Sequence, residues 1–314
     1  MDTLTSIQVF LKVAETGNFS AASDLLGLSR AMTSKHVKAL EDRLGVRLLN
    51  RTTRRVSLTE AGLAYLQRAG QAMADLEDAE LAVSDLHDNP RGVLKVNAPM
   101  SFGIVHLGPA LPDFLAENPE LTVDLTLNDR YVDLVEEGYD VAVRIGQLPD
   151  SSYIARKIAP VRMVAAAAPA YLAAHGTPEH PDDLGRHRCL AYTYSQRPEF
   201  WSFERGEESV TVRISGHMKA NNGDVLRAAA VGGAGIIAQP TFLSGEDVRA
   251  GRLTPILCGW TMRGGAVHAV YPPNRHVSSK VRRFVDFLVR RFGPEPAWDR
   301  EWLEKFHIER EAAE

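Results

Sequence analysis

The sequence predicts an α/β chain led by a small all-α segment, and three observations predict it. Residues 1–58 carry apolar positions at helical spacing, punctuated by Gly17, Gly27 and Gly45. A long stretch with one narrow apolar seam follows from Thr59. From residue 92 onward short apolar runs alternate with helical patterns, the mark of βα units, a mainly parallel sheet and helices on both of its faces. At 314 residues the chain exceeds one ordinary core, so two or three domains are expected.

Leu4, Ile7, Phe10, Leu11 and Ala14 mark the first helix, and Gly17 stops it. Ser20 is the expected cap of a second helix, with Ala22, Leu25 and Leu26 inside and Gly27 at its end. Ser29 caps a third helix that runs to about Leu44, before Gly45. Two helices joined by the tight Gly27-Leu28-Ser29 turn have the form of a helix-turn-helix. Residues 46–58, VRLLNRTTRRVSL, place two short apolar strands around a basic tip, a hairpin wing. Residues 1–58 therefore read as a winged helix-turn-helix.

Thr59 caps a helix expected to reach about His87. Leu66, Ala69, Met73, Leu76, Val83 and Leu86 form its seam, interrupted by Glu80, and such a seam usually pairs with another helix. Residues 59–89 read as a dimerisation helix. Asn89-Pro90-Arg91-Gly92 breaks the pattern and sets the domain boundary. Beyond it strands are expected at 92–98, 121–127, 139–145, 162–168, 188–193, 209–216, 235–238 and 266–271. Helices are expected to fill the gaps, for example at 102–117, 131–137, 223–232 and 277–292. About 200 residues of this pattern suffice for two small α/β lobes. The tail, 293–314, is broken by proline and then amphipathic through Trp298, Trp302 and Phe306, and is expected to pack on the body or on a neighbouring subunit.

The net charge of -4 and pI near 6.2 give no hint of nucleic-acid binding. The average hides a local asymmetry. Between residues 29 and 55 stand eight basic residues, Arg30, Lys35, Lys38, Arg43, Arg47, Arg51, Arg54 and Arg55, against Glu41 and Asp42, a net +6. A basic face of that density is the electrostatic footprint of phosphate binding. The third helix is also divided. Thr33, Val37, Leu40 and Leu44 fall on its inner side; Arg30, Ala31, Ser34, Lys35 and Lys38, with Ser29 at the start, fall on the outer. Long donors beside small residues suit a major groove. Arg51, Arg54 and Arg55 at the wing tip suit the flanking backbone or minor groove. The bland alternative is a solvated basic helix and turn; the helix-turn-helix, divided helix and wing together favour DNA.

These residues also carry a resemblance. Phe19-Ser20-Ala21-Ala22, Leu25, Ser29, Ser34, Val37, Leu40-Glu41, Leu44-Gly45, Leu48-Leu49, Arg51, Arg54 and Leu58-Thr59-Glu60-Ala61-Gly62 closely resemble the signature of LysR-type transcription regulators. The family usually has Phe where Leu49 stands, which should alter packing beneath the wing. Arg30 and His36 stand where many members carry glutamine, so base preference does not carry over. Ala98-Pro99-Met100-Ser101-Phe102-Gly103, Asp140-Val141-Ala142-Val143-Arg144-Ile145-Gly146 and Tyr271-Pro272-Pro273 resemble one large subgroup. The resemblance implies a periplasmic-binding-protein-like effector domain over 90–292, with one lobe at about 91–162 plus 266–292 and the other at 163–265. It further implies a homodimer pairing into tetramers, an inverted-repeat site on double-stranded DNA, a small-molecule effector in the cleft, RNA polymerase as a further partner, and a bacterial cytoplasm.

Ligands of open α/β sheets sit beyond the carboxyl ends of strands. Ser101 and Phe102 follow the first strand and open a helix whose free amides suit an anion. Asn128 and Asp129 follow the second strand, Arg144 and Gly146 the third. In the other lobe Asn221 and Asn222 precede a helix, and Gly232-Gly233-Ala234-Gly235 follows it. These make the effector-site candidates, with a small carboxylate as one candidate ligand. Asparagine caps, glycine turns, and an ion pair of Arg144 with Asp140 or Asp129 are the structural alternatives.

An enzyme is the second function class. His175, His180, His187 and Cys189 match no zinc spacing, and the glycine run lacks the Lys-Ser/Thr of a phosphate loop. No G-x-S-x-G elbow occurs. No cofactor or metal is expected. Cys189 and Cys258 are too few for a disulfide framework and suit a reducing cytoplasm. The start MDTLTSIQVF lacks a basic, then apolar, secretory pattern, and no apolar stretch reaches membrane-span length. The missing signal pattern and the intact N-terminal helix-turn-helix motif count against a purely ligand-binding protein, the third class.

Overall fold

The computed structural model describes residues 2–51, 56–84, 90–149, 151–273 and 277–299. They fall into two compact units: those up to Ser84 together with Val135–Gly138, and the rest.

In the first unit α1 (Thr3–Thr16), α2 (Phe19–Leu26) and α3 (Arg30–Leu44) each end in a glycine with φ between 61° and 70°, the left-handed conformation that turns the chain away at little cost. The α2 cap differs from expectation. Asn18, not Ser20, accepts the Ser20 and Ala21 amides. Both are capping residue types, and α2 begins one residue before Ser20, at Phe19. Ser29 caps α3 as expected, accepting from the Met32 amide. Val9, Phe10, Val13, Ala22, Val37, Leu40, Leu48 and Leu49 form one core. Strands β1 (Leu49–Arg51) and β2 (Val56–Leu58) pair antiparallel with Leu49 opposite Leu58. Helix α4 (Glu60–Ser84) is capped by Thr59, whose Oγ1 accepts the Gly62 amide. A Cβ on Gly62 would stand 1.9 Å from the Leu48 carbonyl oxygen, so only glycine lets α4 lie this close to the wing.

The second unit holds two lobes. The first has a five-stranded sheet, in order β4 (Leu121–Leu127), β3 (Gly92–Ala98), β5 (Val141–Gly146), β14 (Ala266–Tyr271) and β6 (Ile154–Pro160). The second sheet runs β11 (Met218–Ala220), β8 (Cys189–Tyr192), β12 (Ile236–Pro240), β7 (Met163–Ala167) and β13 (Thr254–Ile256). A separate hairpin, β9 (Phe200–Arg205) with β10 (Glu208–Arg213), flanks the second lobe.

Neither sheet is mainly parallel. In each, two pairings are parallel and two antiparallel. The cause is the double crossing between lobes. β3, β4 and β5 end at the cleft between the lobes, whereas β14 arrives from the other lobe and must run away from it. β7 enters the second sheet in the same way after β6. An arriving strand needs no helical crossover within its own sheet, which is what parallel neighbours require.

Side chains alternate between faces as a strand's period of two demands. Ala165, Ala167 and Ile236 enter one core of the second lobe, while Val164, Ala166 and Ile237 enter the other. The first lobe buries Leu94, Val96, Val141 and Val143 against α11 (Ser279–Phe292) through Phe284, Val285 and Leu288.

Several expected elements are altered. The 102–117 helix begins earlier, as α5 (Met100–Phe102), and passes through a π-turn at Gly103–Leu107 into α6 (Gly108–Glu117). The 131–137 helix is only α7 (Leu134–Glu137). Helices α8 (Pro169–His175), α9 (Gly223–Val231) and α10 (Thr241–Arg249) complete the fold, with a 3₁₀ turn at Pro181–Arg186. Of these α9 matches the expected 223–232 helix, and α8 and α10 fall in gaps between expected strands.

Candidate DNA-binding face and ligand cleft

Helix α3 is held from behind by polar as well as apolar contacts. Thr33 Oγ1 meets Ser23 Oγ at 2.9 Å, and His36 Nδ1 meets Ser6 Oγ at 3.0 Å, both buried. His36 therefore lies inside the domain and orients α3 on α1; its position relative to the family's glutamine bears on packing, not on base contact. Glu41 Oε1 accepts the Leu48 and Leu49 amides at 2.9 and 3.1 Å, tying the wing's first strand to α3. Leu49 is buried in the same core.

The opposite side of α3 is open. Arg30, Ala31, Lys35 and Lys38 are exposed and Ser34 is half-buried, forming one stripe. Met32 is exposed beside them, a residue sequence reasoning passed over. Ser29 is exposed but spends its hydroxyl on the helix cap. Arg51 lies in β1, and Arg54 and Arg55 lie outside the described residues. Of the expected α4 seam, Ala69 and Met73 are buried within this chain, and Leu66 packs on the winged-helix core. Leu76 is half-buried. The side chain of Val83, and Leu86 altogether, lie outside the described residues.

A cleft of about 770 Å³ opens within the second unit at the carboxyl ends of the strands. Ser101, Phe102, Asn128, Asp129, Arg144 and Gly146 line it; Asn221 and Asn222 do not, although Gly223 beside them does. Its floor joins the lobes through hydrogen bonds. Ser101 Oγ donates to Asp224 Oδ2 at 2.6 Å, and Asn222 Nδ2 donates to Asp129 Oδ2 at 3.3 Å. Asp129 Oδ1 accepts the Met100 amide at 2.9 Å. The first amide of the α5 turn is thus satisfied by a carboxylate of the chain itself, in place of the anion expected there. Asn222 also caps α9 through the Val225 amide, and Asn221 donates to Tyr194 Oη.

Arg144 is 7% exposed. Its Nη1 donates to Asn97 Oδ1 at 2.6 Å and to the Val143 carbonyl at 3.2 Å, and its guanidinium lies 5.1 Å from the centre of the Tyr131 ring. Asp140 instead pairs with Lys280 at 3.1 Å and accepts the Lys95 amide. Gln239, absent from the sequence-derived set, also lines the cleft and donates to the Gly223 carbonyl. Phe102 faces inward, edge-on to Phe242, Phe292 and Trp298.

The glycine run and the histidines take structural places. A Cβ on Gly235 would come within 2.2 Å of the Arg188 carbonyl oxygen, so the run serves a close passage beside β8. His175 stacks on Tyr171 with ring centres 4.3 Å apart, and His180 caps the 3₁₀ turn. Cys189 is buried, and desolvation of its thiolate pushes the thiol up to about 12. Among the described residues no helix is long and apolar enough to cross a membrane.

Comparison with known proteins agrees with this architecture. Residues 4–63 match the model of the bacterial regulatory helix-turn-helix protein, lysR family, and residues 87–293 match that of the LysR substrate binding domain. An HTH-type transcriptional regulator of Xanthomonas campestris pv. campestris is 39% identical over 292 residues, covering 92% of this chain and 85% of its own. The solved structure of CrgA, a LysR-type transcriptional regulator from Neisseria meningitidis, is 36% identical, with a TM-score of 0.59 over 91% of this chain and 97% of that one. The full-length Vibrio cholerae virulence activator AphB is 28% identical, with a TM-score of 0.58 over 92% of this chain and 99% of that one.

Proposed function

The chain belongs to the LysR family of bacterial transcriptional regulators, which bind DNA and small-molecule effectors and form oligomers, and from that premise we propose which of its residues perform each task. Ser29, Arg30, Ala31, Ser34, Lys35 and Lys38 present the DNA-reading face, and Arg51, Arg54 and Arg55 of the wing flank it. The observation that carries this is the division of α3: one side pinned by Ser6, Ser23 and the apolar core, the other a bare stripe of cations and small side chains. A dimer built on α4 sets two such helices in successive major grooves of an inverted repeat. Pairing of dimers through the effector domains gives a tetramer, and RNA polymerase is the further partner on the promoter. The chain works in the cytoplasm and catalyses no reaction.

The effector occupies the inter-lobe cleft. Ser101, Asp129 and Asn222, with Asp224, join its two sides; Asn128, Arg144 and Gly146 sit on the first-lobe wall. A ligand there shifts the regulator only by binding two lobe arrangements with different affinity. Footprinting of the full chain on genomic fragments tests the reading. Protection of a two-fold site, altered by effector, is expected; binding equal on all sequences would overturn it.

A further inference from the structure

The wall of the cleft narrows the class of its occupant, given that the cleft is the sensing site proposed above. Three aromatic rings stand unusually open around this one concavity. Tyr131, beyond β4 in the first lobe, is 60% exposed; Tyr194 and Phe200, beyond β8 in the second, are 50% and 44% exposed. A single exposed ring is ordinary. Rings gathered on both walls of a cleft of ligand-binding size leave apolar faces in water that a bound molecule would cover.

The charge of the wall points the same way as its shape. Arg130, Arg144, Arg197 and Arg263 line it, the last paired with Glu204. The acids Asp129 in the wall and Asp224 at the floor are engaged, Asp129 by the Met100 amide and Asn222, and Asp224 by the Ser101 hydroxyl. Arg144 sits deep, its guanidinium held by Asn97 and set against the Tyr131 face. A guanidinium fixed in this way directs its positive charge toward a carboxylate at low cost in side-chain entropy. The α5 amide that would compete for that carboxylate is occupied by Asp129.

We propose that the effector is a planar aromatic carboxylate, its ring held between Tyr131 and the Tyr194–Phe200 wall and its carboxylate directed to Arg144. The ring buries the open faces from both lobes, so one molecule contacts each lobe and links them.

The test is calorimetry and thermal melting of the full chain with benzoate, 4-hydroxybenzoate and indole-3-carboxylate. Cyclohexanecarboxylate, benzamide and benzylamine serve as the saturated, neutral and cationic controls. At least one aromatic acid is expected to bind about ten-fold or more tightly than every control, the scale of one charge-assisted or stacking contact. Tyr194→Ala and Phe200→Ala should shrink the preference for the aromatic over the saturated acid, and Arg144→Met the preference for acid over amide. If Arg144→Met lowers the melting temperature sharply, the two wall variants still decide. The proposal is overturned by no binding of any aromatic acid, by equal binding of cyclohexanecarboxylate, or by wall variants that keep the full preference. Tighter binding of benzylamine or benzamide overturns the charge assignment and leaves the cleft as the sensing site. An aromatic acid that binds yet leaves operator affinity unchanged supports the ligand class and overturns the sensing reading instead.

Discussion

Asp299 Oδ2 accepts a hydrogen bond from Arg162 Nη1 at 2.7 Å, and its Oδ1 accepts from Thr241 Oγ1 at 2.5 Å. Arg162 occupies the short link between β6 and β7, where the chain leaves one lobe for the other. Its carbonyl also accepts the Thr241 amide. Beside this node Trp298 packs among Phe102, His106, Phe242 and Phe292. The described part of the tail, residues 293–299, therefore packs on the body of its own chain and is a structural part of the lobe crossing.

Asp299→Ala should destabilise the second unit. The carboxylate is fully buried while Arg162 keeps some contact with water, so the loss should fall near or below the lower end of the ~3–5 kcal/mol typical of a broken buried pair. A thermal melt of the full chain would show a lowered second-unit transition. An unchanged transition would mean that solvent replaces Asp299 at no cost.

Lys35→Ala should weaken operator binding by about 1–3 kcal/mol, the worth of one base or phosphate contact. Lys35 is exposed on α3 and does not enter the core, so circular dichroism and melting should be unaltered. A titration across salt concentrations separates the two kinds of contact. Loss of a phosphate contact lowers the salt slope by about one, and loss of a base contact changes sequence preference.

Leu76→Asp tests the dimer helix. Leu76 is half-buried in the single chain, and an α4 seam would cover it fully. A buried unpaired carboxylate there should shift sedimentation from dimer toward monomer. A dimer that persists at low concentration would place the seam on its own domain, where Leu66 already packs.

Stability should fall on acidification, and His106 should contribute to the slope. Burial lowers its pKa, against the smaller opposing effect of the Phe242 carbonyl that accepts from Nε2–H. A depressed histidine pKa means the unfolded chain binds the proton more readily. His106 therefore costs nothing above the unfolded value near 6.5, and the cost grows as pH drops below it, until the folded pKa is passed. His187 and His268 are lowered by burial as well and act with the same sign. Urea melts at pH 7.5 and 5.5 should show a smaller pH difference for His106→Phe than for the parent. An equal difference would assign the slope to the other two histidines or to carboxylates.

The sequence by itself determined what rests on neighbours along the chain. Gly17, Gly27 and Gly45 stop helices because each adopts a left-handed turn there, and Ser29 and Thr59 cap because their hydroxyls reach amides three residues on. The divided face of α3 was legible for the same reason, since a helix converts spacing directly into direction. Only the tertiary structure decided the rest. Strands of three residues such as β11 and β13 are too short to show a period, and the mixed sheets follow from the two lobe crossings. Asp129 gave no sign that it would satisfy the Met100 amide, nor Asp224 that it would take the Ser101 hydroxyl, because each pair meets only after folding. Tyr131, in one stretch of sequence, and Tyr194 and Phe200, in another, are unremarkable there and come to line opposite walls of one cleft when the lobes face each other. Hydrogen bonds and ring contacts act over a few ångströms, and only the folded chain brings residues so distant in sequence within that reach.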